Sequence, residues 1–186
     1  MSEKIQIETG KILIAEPVLG DSSFERTVIL LTSHDGEEGT VGFILNKPLD
    51  HQLSDLLLEF PEFDSPVFYG GPVESNSVYY LHNQPEKLPG SFHISGDLYW
   101  GGDIERVMEL VRKGELDSSQ IRFYLGYSGW SKDQLECEVD EKSWIVKDFG
   151  VVSPFGDPSN MWKDCIQSLG GDYRLWANSP SDPILN

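Results

Sequence analysis

The sequence predicts an α+β fold, and three observations support this prediction. Two short apolar runs, Val28–Leu31 and Val41–Leu45, are separated by the turn-forming cluster His34–Gly39, which is typical of a β-hairpin. The segment Asp103–Lys113 carries its apolar residues at helical spacing. Strands and helices otherwise alternate without a regular βαβ rhythm, which argues against a doubly wound parallel sheet.

The length and composition predict one domain. The chain has 186 residues, of which 39% are hydrophobic, and this is enough to build a sizeable core. We therefore expect residues 1–186 to form a single domain, with irregular tails at residues 1–9 and 178–186. No internal repeat or low-complexity segment divides the chain.

The net charge and the cysteine content limit the classes of function. The formal charge of −17 repels phosphate backbones and so argues against direct nucleic-acid binding, whereas it favours solubility or attraction to basic proteins. Cys137 and Cys165 stand far apart and suggest a reduced chain. The first residues lack the apolar stretch of a signal peptide, and no apolar run has membrane-spanning length. We expect a cytoplasmic protein that does not enter a membrane.

The remaining elements follow from apolar runs and from the residues that flank them. Asp103 is placed to cap the clearest helix and Gly114 to end it. Further strands are predicted at Gly10–Ala15, Val67–Tyr69, Val78–His82, Phe92–Ile94, Ile121–Tyr127 and Trp144–Val146. Further helices are predicted at His51–Phe60, at Ser131–Val139 with Ser131 as its cap, and from Asp157 to about Leu169.

No stretch carries a recognisable catalytic, metal or cofactor motif. Gly126–Trp130 has the order G-x-S-G-x, which differs from the G-x-S-x-G nucleophile elbow and is better explained as a strand-to-helix turn that needs two glycines. The four histidines lack metal-ligand spacing. Glu136 and Glu138 fall on different faces of a predicted helix. We therefore predict no catalytic residue, no metal and no cofactor.

The outer ends of the predicted hairpin carry the best candidate functional residues. Polar groups at strand ends often build binding sites, and here they are Arg26, Thr27, Asn46 and Lys47. The alternative is structural: Arg26 lies beside Glu25 in an ion-pair network and Asn46 supports a turn. The candidate surface is extended by Gly70, Gly71, Ser128, Gly129 and Trp130.

An ordered set of segments resembles the AlgH/YqgE family. The set begins with GKILIAEPVL, DSSFERTVILL and HDGEEGTVGFILNKP, continues with VFYGGPV, YWGGD and RFYLGYSGWSKDQLECEV, and ends with PSDPILN. The resemblance runs from Gly10 to Asn186. It implies an α+β fold whose bifurcated, mostly antiparallel sheet curls into a pseudo-barrel with helices packed outside. The resemblance supplies no reaction, cofactor or catalytic residue.

The functional expectation combines the resemblance with the composition. Family members carry the label of transcriptional regulators, but the chain has no helix-turn-helix pattern, and its charge opposes DNA binding. We expect a non-enzymatic regulatory or adaptor protein that acts through an unidentified protein partner. The alternatives are a small-molecule-binding protein or enzyme of unrecognised class, and a transcription factor that contacts DNA. The sequence does not fix the oligomeric state.

Overall fold

Nine strands form one sheet in the computed structural model of the chain, which describes residues 6–17, 19 and 21–178. The hydrogen-bonded order is β6-β7-β5-β8-β3-β2-β1-β9, and β4 pairs with β8 outside this path. All neighbours are antiparallel except β4 and β8. The strands are β1 Lys11–Ala15, β2 Val28–Asp35, β3 Gly39–Ile44, β4 Phe68–Tyr69, β5 Val73–His82, β6 Phe92–Ser95, β7 Leu98–Trp100, β8 Ile121–Trp130 and β9 Trp144–Asp148.

Five short helices accompany the sheet within the described residues. They are α1 Leu53–Leu56, α2 Ile104–Arg112, α3 Gln134–Asp140, α4 Met161–Leu169 and α5 Tyr173–Trp176, and a 3-10 turn spans Phe149–Val151. None of the helices in this part of the chain has both the length and the apolar character of a membrane span.

The sheet divides at β8. The first half of this strand pairs with β5 and β4, for example Tyr124 with Tyr79, whereas its last three residues pair with β3. The change of partner follows Tyr127, which still pairs with Val73 of β5, and the preceding Gly126 has a φ of +68° that is readily adopted only by glycine. One strand therefore connects β5 and β4 with β3 within the single nine-stranded sheet.

The two faces of the sheet bury different clusters. One cluster collects side chains from every strand together with α4, and it includes Ile12, Phe43, Ile94 and Trp162. The opposite face is covered by α1 and α2 on one half of the sheet and by α3 on the other. A Cβ at Gly10, just before β1, would lie 2.9 Å from the Cβ of Ser95 in β6. The sheet is therefore curled, with α4 against the shared face.

The α+β class and the mostly antiparallel sheet are confirmed. The pseudo-barrel is supported only in part, because β6 and β9 end the strand order and the sheet is not closed. The expected outer position holds for α1, α2 and α3. α4 packs on the other face of the sheet, where Met161, Trp162, Cys165 and Ile166 join the cluster shared by all strands.

The helix predicted at His51–Phe60 is wrong in its extent. Only Leu53–Leu56 is helical, since Leu57 is already extended and Glu59 has a φ of +64°. Leu58 is 93% exposed. Of the leucines whose helical spacing suggests this helix, Leu53, Leu56 and Leu57, only Leu53 is buried and Leu56 is 36% exposed, so they do not share one buried face.

The turn predicted at Ser128–Trp130 is also wrong. These residues continue β8, because they pair with Thr40–Gly42 of β3. The following helix begins at Gln134 rather than at Ser131, after Asp133 with a φ of +61°. Ser131 still contacts the start of this helix, because its backbone N–H donates to Oε1 of Gln134 at 3.0 Å.

The last helical region starts later than the sequence predicts. Asp157–Ser159 form a turn in which the backbone N–H and the hydroxyl of Ser159 donate to Oδ1 of Asp157, and α4 begins at Met161. The structure adds β7 and α5, which the sequence does not predict. Most of the predicted tail, residues 179–186, lies outside the described residues, as do residues 1–5.

Candidate functional site

A recess of about 250 Å³ opens where the β2–β3 hairpin ends and α4 begins. The hairpin supplies its residues just before β2 and just after β3, and the chain segment that enters α4 supplies the opposite wall. The lining residues are Arg26, Asn46, Pro48, Pro158, Ser159, Asn160, Trp162, Lys163 and Ala177. This recess is called the hairpin recess below.

Asn46 holds the open end of the hairpin together. Its side-chain Nδ2 donates to the carbonyl oxygen of Arg26 at 2.9 Å, and its Oδ1 accepts from the backbone N–H of Val28 at 2.9 Å. The amide thus pairs with the backbone on both sides of Thr27. These two hydrogen bonds hold the backbone of Arg26 in a left-handed conformation with a φ of +53°. The side chain predicted as a possible ligand group therefore also has a structural task.

Arg26 and Trp162 form the cationic wall of the recess. The guanidinium carbon of Arg26 lies 5.1 Å from the centroid of the Trp162 ring, within cation–π range. The indole is only 4% exposed and is fixed by its Nε1, which donates to the carbonyl oxygen of Ala15 at 2.9 Å. Neither Glu25 nor Asp21, the two described neighbours considered for the predicted ion-pair network, forms a salt bridge with Arg26.

Lys163 adds a second cation at the same mouth. It is the third residue of α4 and is half-buried, and it makes no salt bridge with a described residue. The N-cap residue Asn160 makes no side-chain capping bond. The first turn of a helix carries partial positive charge, so the recess combines this charge with two basic side chains. Apolar surface comes from Pro48 and Pro158.

The other residues predicted at the hairpin ends do not line the recess. Thr27 is fully buried, and its hydroxyl donates to the carbonyl oxygen of Phe24 at 2.8 Å. Lys47 accepts the backbone N–H of Tyr69 at 2.8 Å through its carbonyl oxygen. Both residues thus hold the chain segments behind the recess.

Gly70 and Gly71 lie where two backbone segments cross. The carbonyl oxygen of Gly70 accepts from the backbone N–H of Ile44 and from the hydroxyl of Ser128, both at 3.0 Å. A Cβ at Gly70 would lie 2.2 Å from the carbonyl oxygen of Gly126, and one at Gly71 would lie 2.2 Å from the carbonyl carbon of Tyr127. Glycine is required here because the backbones approach closely.

Ser128 is part of the same crossing. It is fully buried, and its hydroxyl is committed to Gly70. The hydrogen-bonded histidines of the described chain have their partners elsewhere: His34 with Thr40, His82 with Gly101, and His93 with Gly96. The hydroxyl of Ser128 is thus used within the crossing, where it helps to hold the Gly70 backbone against β8.

Trp130 and Gly129 lie away from the recess. Trp130 packs on the opposite face of the sheet against Phe24 and Trp144. Its Nε1 donates to Oε2 of Glu138 at 2.9 Å, and Nε1 of Trp144 donates to the same oxygen at 2.7 Å. Gly129 pairs with Val41. The predicted surface is therefore split, and the hairpin recess contains only Arg26 and Asn46 of it.

The sequence interpretation missed the wall supplied by α4. Trp162 reads as part of an apolar stripe with Met161 and Cys165, and it is indeed buried. The sequence offered no signal for Lys163, because a helix that begins at Asp157, as predicted, places this residue in its second turn rather than its first. Cys165 is buried, which raises the pKa of its thiol to about 11, whereas Cys137 is exposed. Among the described residues, no group of three His, Cys, Asp or Glu side chains converges on a metal-sized point.

Comparisons with known proteins agree with the fold. The family described as AlgH-like matches residues 12–174. A UPF0301 protein of Cytophaga hutchinsonii is 46% identical over 95% of this chain and 98% of its own length, and one of Chlorobium luteolum is 44% identical over 100% and 98%.

Two solved structures share the architecture at low sequence identity. Protein DIP2367 of Corynebacterium diphtheriae has a TM-score of 0.77 at 20% identity and covers 95% of both chains. The AlgH protein of Pseudomonas aeruginosa has a TM-score of 0.72 at 22% identity, covering 98% of this chain and 100% of its own. At these identities the likeness concerns the fold alone. The family match and the curated relatives together show that this chain belongs to the AlgH-like family.

Proposed function

We propose that this chain is a cytoplasmic regulatory protein that acts through a protein partner and binds an acidic segment of that partner in the hairpin recess. The observation that supports this proposal is the pair of cations, Arg26 and Lys163, beside the indole of Trp162 at the start of α4. The chain has only 14 lysines and arginines against 31 aspartates and glutamates. A recess lined by two basic side chains is therefore unusual in a chain with so large a negative charge.

The position of Lys163 favours binding over stability as its role. A cation in the first turn of a helix interacts unfavourably with the helix dipole, by a few tenths of a kcal/mol on an exposed surface. Asp164, also in this turn, is exposed, whereas Lys163 lines the recess. A partner carboxylate placed beside Lys163 would gain a charge-assisted hydrogen bond, and Pro48, Pro158 and Trp162 would cover its apolar neighbours.

The variant Lys163→Glu tests this proposal, because it reverses the charge of the recess while removing an unfavourable helix–dipole interaction. We expect the fold to be retained, and capture of the specific partner from native lysate to fall at least about tenfold. Lys147→Glu is the matched control, since Lys147 is exposed on β9 and does not line the recess. Captured proteins are quantified by mass spectrometry at low and at moderate salt.

The proposal fails if Lys163→Glu and Lys147→Glu capture the same proteins in the same amounts. Partners that disappear from wild type at moderate salt reflect the acidic surface in general and count against a specific recess. A protein that survives moderate salt, binds Lys147→Glu and is lost with Lys163→Glu meets the expectation. DNA contact is the regulatory alternative, and it predicts a mobility shift that weakens steeply with salt.

A further inference from the structure

Three buried polar atoms on one face of β8 have no hydrogen-bond partner among the residues that the structure describes. They are Nε and Nη1 of Arg122 and the hydroxyl oxygen of Tyr124. Arg122 is 6% exposed and Tyr124 is fully buried. Buried polar groups are nearly always paired, and an unpaired guanidinium in a protein interior costs several kcal/mol. These atoms therefore require hydrogen-bond partners that the described residues do not supply.

The contacts that Arg122 makes do not satisfy all of its hydrogen-bond donors. Its Nη2 donates to the carbonyl oxygen of Gly156 at 2.9 Å, and its guanidinium carbon lies 4.2 Å from the centroid of the Phe68 ring. The ring face covers the guanidinium plane, but it offers no acceptor to the N–H groups at the edge of that plane. The guanidinium is thus held in place while most of its donors remain unused.

The carboxylate of Asp157 compensates the positive charge of Arg122 through space, without a direct hydrogen bond. Asp157 forms no hydrogen bond with Arg122, and its Oδ1 accepts both the backbone N–H and the hydroxyl of Ser159. These two hydrogen bonds, with a smaller contribution from Arg122, lower the pKa of Asp157, so this carboxylate stays ionised. Burial lowers the pKa of Arg122, and the interactions with Tyr124 and Asp157 oppose this effect.

Arg122 adjoins the wall of the hairpin recess through two contacts. Pro48, which lines the recess, forms a β-bridge with Phe68, whose ring carries the guanidinium. Gly156, which accepts from Arg122, is two residues before Pro158 on the opposite wall. The two contacts of Arg122 therefore adjoin recess residues on both walls.

We propose that Arg122 and Tyr124 form a buried site for a small oxyanion, a carboxylate or phosphate group, that enters from the hairpin recess. Guanidinium N–H groups and a phenol hydroxyl are the donors that such an anion takes, and a dry environment strengthens each bond. The site goes beyond partner binding, because it would place a small anionic ligand inside the fold. The net charge of −17 opposes non-specific anion binding, so a saturable response points to a built site.

Thermal unfolding in sodium acetate and in sodium phosphate, each against sodium chloride of equal ionic strength, tests the proposal with the full chain. At a hundredfold excess over the dissociation constant, one of the two anions is expected to raise the Tm of the wild type by roughly 5–10 °C more than chloride does. A response to acetate assigns a carboxylate ligand, and a response to phosphate assigns a phosphate ligand.

Two substitutions separate an anion site from a structural guanidinium. Arg122→Met is expected to remove the response. Tyr124→Phe deletes only the unpaired hydroxyl, so it is expected to fold as the wild type does and to raise the half-maximal anion concentration roughly tenfold. Lys147→Met, which removes an exposed cation, is the control and should keep the full response.

Three results would overturn the proposal. The first is a wild type that responds to neither anion, which means that buried water satisfies these donors. The second is an unchanged response in Tyr124→Phe, and the third is an unchanged response in a folded Arg122→Met. Because Tyr124→Phe removes a single oxygen atom, the proposal remains testable even if Arg122→Met does not fold. Partner capture does not enter this experiment, so its failure is distinguishable from failure of the proposed function.

Discussion

Alanine in place of Gly70 is expected to prevent folding of the chain. The added Cβ would lie 2.2 Å from the carbonyl oxygen of Gly126 and 3.0 Å from Cδ1 of Phe43, and neither the crossing backbone nor the packed ring can withdraw without breaking other contacts. We expect a loss of more than about 4 kcal/mol, which is a large part of the stability of a typical domain. Soluble yield and far-UV circular dichroism measure the effect.

Gly36→Ala is the matched control for this substitution. Gly36 lies in the β2–β3 turn, and an added Cβ there would meet no atom within 4 Å. This variant should stay within about 0.5 kcal/mol of the wild type. A Gly70→Ala protein that folds and unfolds like Gly36→Ala would show that the crossing of residues 70–71 with β8 is looser than described.

Removal of the Glu138 carboxylate is expected to be the second large effect. This group accepts from the indole N–H groups of Trp130 and Trp144, and its other oxygen accepts from the side-chain amide of Gln134 at 2.9 Å. Glu138→Ala leaves two largely buried indole N–H groups without their acceptor, at an expected cost of about 2–4 kcal/mol. Urea unfolding followed by tryptophan fluorescence gives the free energy of unfolding directly.

Two further variants identify the cause of that loss. Glu138→Gln keeps one carbonyl acceptor and should lose less than the alanine variant. Glu136→Ala on the same helix removes a carboxylate that lies 3.9 Å from Nε2 of His34 and is partly exposed, so it should cost under about 1 kcal/mol. Equal losses for Glu138→Ala and Glu136→Ala would contradict the role given to the shared carboxylate.

Local patterns predicted the elements whose partners are close in sequence. The β2–β3 hairpin follows from two apolar runs and a turn between them, and α2 follows from its stripe and from Asp103, whose side chain accepts the backbone N–H of Glu105 at 2.9 Å. These elements need little information from the rest of the chain, so the sequence alone identifies them.

The errors occur where a distant segment decides the conformation. Residues 128–130 look like a turn because of their small residues, but they extend β8 because Thr40–Gly42 supply a strand to pair with. The leucines at positions 53, 56 and 57 suggest a helix, yet Leu57 is extended and Glu59 has a φ of +64°. Neither outcome is contained in the local pattern, since both depend on tertiary pairing and packing.

Only the hairpin wall of the recess could be predicted from the sequence. Arg26 and Asn46 are polar residues at strand ends, and this position singled them out. Trp162 and Lys163 reach the same recess from a helix far along the chain, because α4 packs on the sheet face where β1 and β2 lie side by side. Arg122 was missed because a charged residue within a strand normally faces solvent. Here its side chain is buried on the same face of β8 as Tyr124.

Site-specific photocrosslinking tests most directly whether the hairpin recess is the partner-binding surface. A photoreactive amino acid replaces Asn160, an exposed recess residue whose side chain makes no capping bond, and a second variant carries it at Glu38, at the opposite end of the hairpin. After irradiation of living cells, we expect a discrete adduct with one protein from position 160 and none from position 38. No adduct from position 160, or the same adducts from both positions, would contradict the assignment of the recess.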